Sequence, residues 1–325
     1  MMAENHDDLP LFSTPLPELR TDRPRAARPR AETALSAAID AWGTALAQAG
    51  RSTNTVKAFT ADLRLMAKFL GGGQSVSAIG THDLRRFLDW MVRGRRVPCS
   101  PKTYSRRVTS IKSFFRWLVD EGILAADPAA AVPQQTVLSP LPEVLTADEV
   151  ETLLGASDRL RYADPPDPRP LTLFQLLLHT GIKKGECLAL HVNHVDLRSV
   201  EGAILYVRYG DVRKRYKERK LPLDPNWVPV YREYLAQYKP TAQLFPWSPR
   251  RLEYILEDLG NLAGLEKHVS FDMCRWTCAL RDLQAGLDRD RIRQKLGLSK
   301  IQWREIGAKL DRLAAEAGSF PSISS

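Results

Sequence analysis

The sequence predicts a mainly α-helical protein of two domains, the second carrying one small antiparallel sheet. Three observations carry that expectation. Apolar residues recur at helical spacing along most of the 325 residues. A proline-rich stretch without helical period interrupts them before the midpoint. One segment only, near 202–222, combines β-branched and aromatic residues with a polar turn. The length suits about two domains of ordinary size. A composition of 44% hydrophobic and 26% charged residues is that of a soluble globular chain. No apolar run nears the roughly 20 residues that span a bilayer, so no membrane contact is expected. The N-terminus has no apolar core after a basic start, so no signal peptide is expected and the cytoplasm is the expected location.

Residues 1–30 are rich in Pro, Arg and Glu and lack periodic apolar residues, which predicts a disordered basic arm. The first domain is expected over 31–130. A helical pattern starts at Ala34 and runs on through "TVKAFTADLRLMAKFL", until the glycines of "GGGQS" stop it. "THDLRRFLDWMV" forms a third helix with Thr81 placed to cap it. "SPKTYSRRVTSIKSFFRWLVDEG" forms a fourth, with Val108, Ile111, Phe114, Phe115, Leu118 and Val119 as its apolar stripe. Lys102, Arg106, Arg107, Lys112 and Arg116 form a basic ridge on the rest of that helix.

Residues 131–145 are the expected linker, within the four-proline stretch "ADPAAAVPQQTVLSPLPEVL". The second domain, 146–316, opens with a helix whose Thr146 and Glu149 have capping-box spacing. Next comes "LLLHTGIKKGECLAL", an apolar helix that turns a corner at Thr-Gly and presents Lys183 and Lys184. Those residues alone allow a plain helix–turn–helix corner with a solvated basic tip. "GAILYVRYG" and "RKLPL" predict two paired strands. Seven basic residues against two acidic lie between Arg208 and Lys220, on the expected hairpin tip. Three more helices are expected in "VSFDMCRWTCALRDLQAG", "DRDRIRQKLGL" and "KIQWREIGAKLDRLAAEAG", followed by a tail, 317–325.

The net charge of +9 and pI near 9.4 point to a polyanionic partner, bound by release of counterions from phosphates. Cys99, Cys187, Cys274 and Cys278 are too few and scattered for a disulfide framework. Cys274 and Cys278 would share a helical face, and His191 and His194 are close in sequence. A tetrahedral metal site needs about four convergent ligands, so neither a metal nor a cofactor is expected.

Taken in order, these pieces resemble the tyrosine recombinase (phage integrase) family over about residues 34–313. "STNTVKAFTADL", which contains Lys57, and "TYSRRVTSIKSFFRWLVDEGIL" are similar to helices of its N-terminal core-binding, SAM-like domain. "LLLHTGIKKGECLALHVNHVDL" resembles the first signature box of its catalytic domain, "VRKRYKERKLPL" its basic hairpin and "SFDMCRWTCALRDLQAGLDRDRIRQKLGLSKI" its second box. The resemblance implies a domain pair that closes on duplex DNA and transesterifies a phosphate. A tyrosine attacks, while arginines, a lysine and His or Trp side chains stabilise or protonate the phosphate oxygens.

Carried onto this chain, the first arginine falls on Lys183, which keeps the charge without the planar fork. The hairpin lysine falls on Lys214, with Arg213, Arg215 and Lys217 as neighbouring candidates. The second arginine is retained as Arg275. The family's histidine is Asp272, the later His or Trp is Leu298, and the nucleophile is Gly307. The last tyrosine of the chain, Tyr254, precedes the whole second box. A carboxylate about 4 Å from a phosphate costs roughly 4 kcal/mol at an effective dielectric near 20, although Asp272 has the alternative role of capping the helix that starts near Met273. No strand-transfer activity is therefore expected. Lys57, Arg106, Arg107, Lys112, Lys183, Arg213, Lys214, Lys217, Arg219 and Arg275 are the expected contacts to double-stranded DNA. The C-terminal helix, with Ile306, Leu310 and Leu313 on one face, either passes into a second copy or an active recombinase, as the family does, or packs within its own chain. Two other readings stay open: an active recombinase with an atypical or partner-supplied nucleophile, and an interaction scaffold that binds no DNA.

Overall fold

The computed structural model describes residues 29–134 and 140–318. The arm through residue 28 and the tail from residue 319 lie outside the described residues. The chain divides into two compact units between Ser139 and Pro140, inside the expected linker.

The first unit packs four helices: α1 (Leu35–Gln48), α2 (Thr53–Leu70), α3 (Thr81–Asp89) and α4 (Pro101–Asp120). Ser52 and Ser100 cap α2 and α4 by accepting from the backbone N–H three residues on. The apolar stripe of α4 is buried at Val108, Ile111, Phe114, Phe115 and Leu118, against Trp42, Met66 and Phe87, while Val119 is only half-buried. Thr81 is not the cap of α3. Gly80 holds that position, Asp83 accepts from its N–H, and the Thr81 hydroxyl donates to the carbonyl of Pro128 at 2.7 Å. A wide turn over Trp90–Gly94 follows α3.

The second unit is built around α6 (Arg169–Thr180), buried at Leu171, Leu173, Phe174, Leu176, Leu177 and Leu178. A helix apolar on all sides must be wrapped on all sides. Here the wrapping is α5 (Ala147–Arg161), α8 (Trp227–Tyr238), α9 (Pro249–Leu262) and α10 (Phe271–Gln284). The capping box of Thr146 and Glu149 forms at α5. A short α7 (Lys184–Leu188) follows the corner. The sheet has order β1-β2-β3, with β2 (Ile204–Val207) antiparallel to β3 (Arg219–Pro222) as expected from the pattern. Its third strand, β1 (Val195–Asp196), is too short to show in the sequence. The basic connection is a 3-10 turn over Val212–Lys217 rather than an extended tip, because Asp211 caps it by accepting from Arg213 N–H. Helices α11 (Arg289–Lys295) and α12 (Lys300–Gly318) complete the unit. Ile306, Leu310 and Leu313 of α12 face Leu280, Ile292 and Leu296 of the same chain, so its apolar face packs internally.

Candidate functional site

The corner of "HTGIKKGE" is fixed by two backbone requirements. Gly181 adopts the left-handed conformation (φ 57) that ends α6. A Cβ there would stand 2.8 Å from Leu296 and 3.1 Å from the Cys278 sulfur, so a larger residue would push α10 and α11 away. Glu186, three residues beyond the turn, accepts from the Lys183 N–H at 2.8 Å and starts α7.

Glu186 is also the hub beneath the site. Its carboxylate is 3% exposed and receives both ends of the Arg219 guanidinium, at 3.0 and 2.9 Å, as well as the Tyr209 hydroxyl. Arg219 Nε also donates to the Lys295 carbonyl at 2.6 Å. Its guanidinium lies over Gly297 (φ 60), where a Cβ would come within 2.7 Å of it. One ion pair thus ties α7, β3 and the end of α11 together. Burial would raise the Glu186 carboxyl, but Arg219, Tyr209 and the Lys183 N–H outweigh it and hold it at about 2. With the folded value depressed, this stabilisation is complete above the ordinary carboxylate range and is lost as pH falls from about 4.5 towards about 2. Arg219→Ala leaves that carboxylate buried without its cation. It is expected to destabilise the second unit by about 3–5 kcal/mol in urea unfolding at pH 7; an unchanged midpoint would show the pair to be inessential.

Above the hub, Arg275 donates to the carbonyls of Gly181 and Leu296, the latter at 2.6 Å, which joins α10 to the corner and to α11. Burial lowers its guanidinium to about 10, partly offset by Glu186. Lys183 is half-buried. Desolvation, then repulsion from Arg275, lower its ammonium to about 8 against the attraction of Glu186, with Lys217 and Arg219 adding to the repulsion. Lys183, Arg275 and Lys217 are therefore close enough to act on one another electrostatically, while Arg219 is neutralised by Glu186, and the unbalanced charge suits an anion.

The three remaining positions carry no comparable group. Asp272 is exposed in the first turn of α10 and does not cap it; Ser270 does, accepting from Met273 N–H at 3.2 Å. Leu298 is 6% exposed and sits in the apolar cluster of Leu296, Ile292 and Leu310, turned into the core. Gly307 is buried on α12, with the Trp303 ring 3.2 Å from where its Cβ would be.

The other basic residues divide between surface and scaffold. Lys214 is exposed and lies 3.5 Å from Asp211; Arg213 is exposed beside it, and Lys217 is half-buried under Tyr216. Lys57 is exposed on α2. Arg106 and Arg107 do not form a free ridge, because buried Asp62 takes them at 2.9 and 3.3 Å together with the Ser110 hydroxyl. Arg106 stays 40% exposed, whereas Arg107, at 13%, is turned inwards. Lys112 reaches the Ala130 carbonyl at 3.5 Å. Arg219, expected as a DNA contact, is the buried partner of Glu186 and is poorly placed for a phosphate.

Sequence reasoning missed Asp62 and Glu186 as hubs. Each is a carboxylate inside an apolar run, "FTADLRLM" and "KKGECLAL", which burial permits only with a cation. Arg219 also had a signal: it alternates with buried Leu221 on one face of β3.

The sequence profile of the "Phage integrase family" matches residues 143–306, 164 of the 325, and that of "Phage integrase, N-terminal SAM-like domain" matches residues 39–122. The chain belongs to the phage integrase family. It is 25% identical over 289 residues to "Tyrosine recombinase XerD" of Listeria innocua, covering 82% of this chain and 92% of that one. It is 27% identical over 319 residues to "Tyrosine recombinase XerC" of Xanthomonas campestris pv. campestris, covering 93% of each. Among solved structures, a lambda integrase dimer bound to a COC' core site aligns with TM-score 0.67 at 14% identity, over 90% of this chain and 80% of that one. The XerH recombinase bound to palindromic difH, a post-cleavage complex, aligns at 0.64 with 18% identity, over 81% and 79%. Both show the shared fold. Among the described residues no helix is long and apolar enough to cross a membrane.

Proposed function

We propose that this chain binds double-stranded DNA without cleaving it, and acts in or regulates site-specific recombination. The observation that carries this reading is the split within one site. The cations Lys183 and Arg275 converge beside the basic turn, while Gly307, under Trp303, offers no nucleophile. Relatives named as tyrosine recombinases and structural neighbours described as bound to DNA support the choice of polyanion. The apolar face of α12 is already occupied within the chain. A partnership with an active recombinase or a second copy would therefore use other surfaces or release that helix.

The test is a set of titrations on duplex DNA. Arg213→Ala with Lys214→Ala and Lys217→Ala is expected to weaken binding to all sequences by similar factors, since phosphate contacts carry no base information. Lys183→Ala removes one contact and is expected to be milder. A silent triple change would make the turn an ordinary solvated loop.

Binding is also expected to depend on pH through Lys183. A phosphate restores the charge that burial disfavours, so the complex takes up a proton wherever the free ammonium has lost one, above about 8. Affinity should then fall as pH rises past about 8, by at most about tenfold per unit, and Lys183→Ala should flatten the profile. A profile that keeps its slope in that variant would assign the titration to another group.

A further inference from the structure

The first unit carries a groove of about 660 Å³ that the proposed DNA contacts do not use. Leu65, Phe69, Trp90 and Val97 form its apolar lining, and Lys68, Arg95 and Arg96 its charge; no acidic residue lines it. The aromatic wall is fixed. Trp90 packs with Phe69 at 5.0 Å and stacks on Phe87 at 6.0 Å, and a Cβ on Gly94 would fall 2.5 Å from its ring. Arg95 stands 5.7 Å from the Trp90 ring centre, and Val97 is 72% exposed. With Phe87 stacked on Trp90 and Arg95 over it, inserted apolar side chains fit this site better than a stacked nucleobase. An apolar wall with a wholly cationic rim suits a short segment that alternates carboxylates with large apolar residues.

The chain itself contains such a segment. Residues 4–12, "ENHDDLPLF", hold Glu4, Asp7 and Asp8 followed by Leu9, Leu11 and Phe12, and the first Lys or Arg of the chain is Arg20. The described chain begins beside the groove's own helix. Ala31 and Thr33 accept hydrogen bonds from the Ser77 and Val76 N–H groups, a few residues past the end of α2, which supplies Leu65, Lys68 and Phe69. The 17 residue steps from Phe12 to Pro29 span up to roughly 60 Å when extended. We propose that residues 4–12 dock in cis in this groove, with Asp7 and Asp8 against Arg95, Arg96 and Lys68, and Leu11 or Phe12 against Trp90 and Val97. This contact does not depend on the chain binding DNA.

Hydrogen exchange on the full-length protein tests it. Amides of residues 94–97 are expected to exchange about tenfold more slowly in the native chain than in Asp7→Lys/Asp8→Lys. Adding Arg95→Glu and Arg96→Glu to that variant is expected to restore the slow exchange by reversing both partners. Equal exchange in the native chain and the first variant overturns the proposal and leaves the groove empty or open to another protein. Slowing that grows with protein concentration assigns the groove to the segment of a second copy and overturns the cis contact.

Discussion

Purified protein is expected to retard duplex DNA at about 50 mM salt and to lose about a thousandfold in affinity by about 200 mM. That slope corresponds to about six phosphate contacts, each releasing close to one counterion. Arg107 and Arg219 are held internally by Asp62 and Glu186, so on the proposed reading the expected contacts are Lys57, Arg106, Lys112, Lys183, Arg275 and the turn from Arg213 to Lys217. Screening acts strongly on exposed charges and weakly on buried ones. The exposed side chains of the turn therefore carry most of the salt dependence. Absence of retardation for any duplex at low salt would remove the DNA-binding reading.

On the proposed non-cleaving reading, strand cleavage is expected to need more than a tyrosine introduced at position 307. Gly307→Tyr alone should form no covalent adduct, because the donors around the phosphate would still be wrong; losing a single such donor costs about a hundred- to a thousandfold in rate. Its Cβ would also meet Trp303 at 3.2 Å, so that ring must shift before a phenol can be placed. The combined Lys183→Arg, Asp272→His, Leu298→His and Gly307→Tyr rebuilds the charge pattern, and an adduct is expected only in that background. Leu298→His carries its own cost, since it places an imidazole in the cluster of Leu296, Ile292 and Leu310. The fourfold variant should therefore melt below the native protein. Adduct formation by Gly307→Tyr alone would show the electrostatic site to be intact after all.

Much of the fold was legible because its helices are amphipathic and their ends are marked by side chains. Ser52, Ser100 and Thr146 each open a helix by bonding the N–H three residues on. Thr81 and Asp272 misled for the same reason, since a capping residue type beside a helix start does not tell which neighbour adopts the extended backbone. Gly80 and Ser270 do so here. At the site, the order of the segments placed Lys183 and Arg275, and the structure brings them close enough to repel. What the sequence hid was the direction of each cation. A basic ridge drawn on one helix cannot show that Asp62 on another helix turns Arg107 inwards. Likewise, the charge count of the turn cannot separate exposed Lys214 from buried Arg219. Leu298 is a further case: the resemblance assigned it a role, but its burial follows from the packing of α11 on α12, which the order of segments does not show.

The most direct test of the central claim is one incubation of the unmodified protein with a nicked duplex that traps covalent intermediates, divided between a native and a denaturing gel. Retardation on the native gel is expected, with no protein–DNA band on the denaturing gel, because the proposed reading keeps binding while Gly307 supplies no nucleophile. A denaturation-resistant band mapped to any residue would contradict the account. Tyr216, 70% exposed on the basic turn beside Lys217, is the first position to check for such a link.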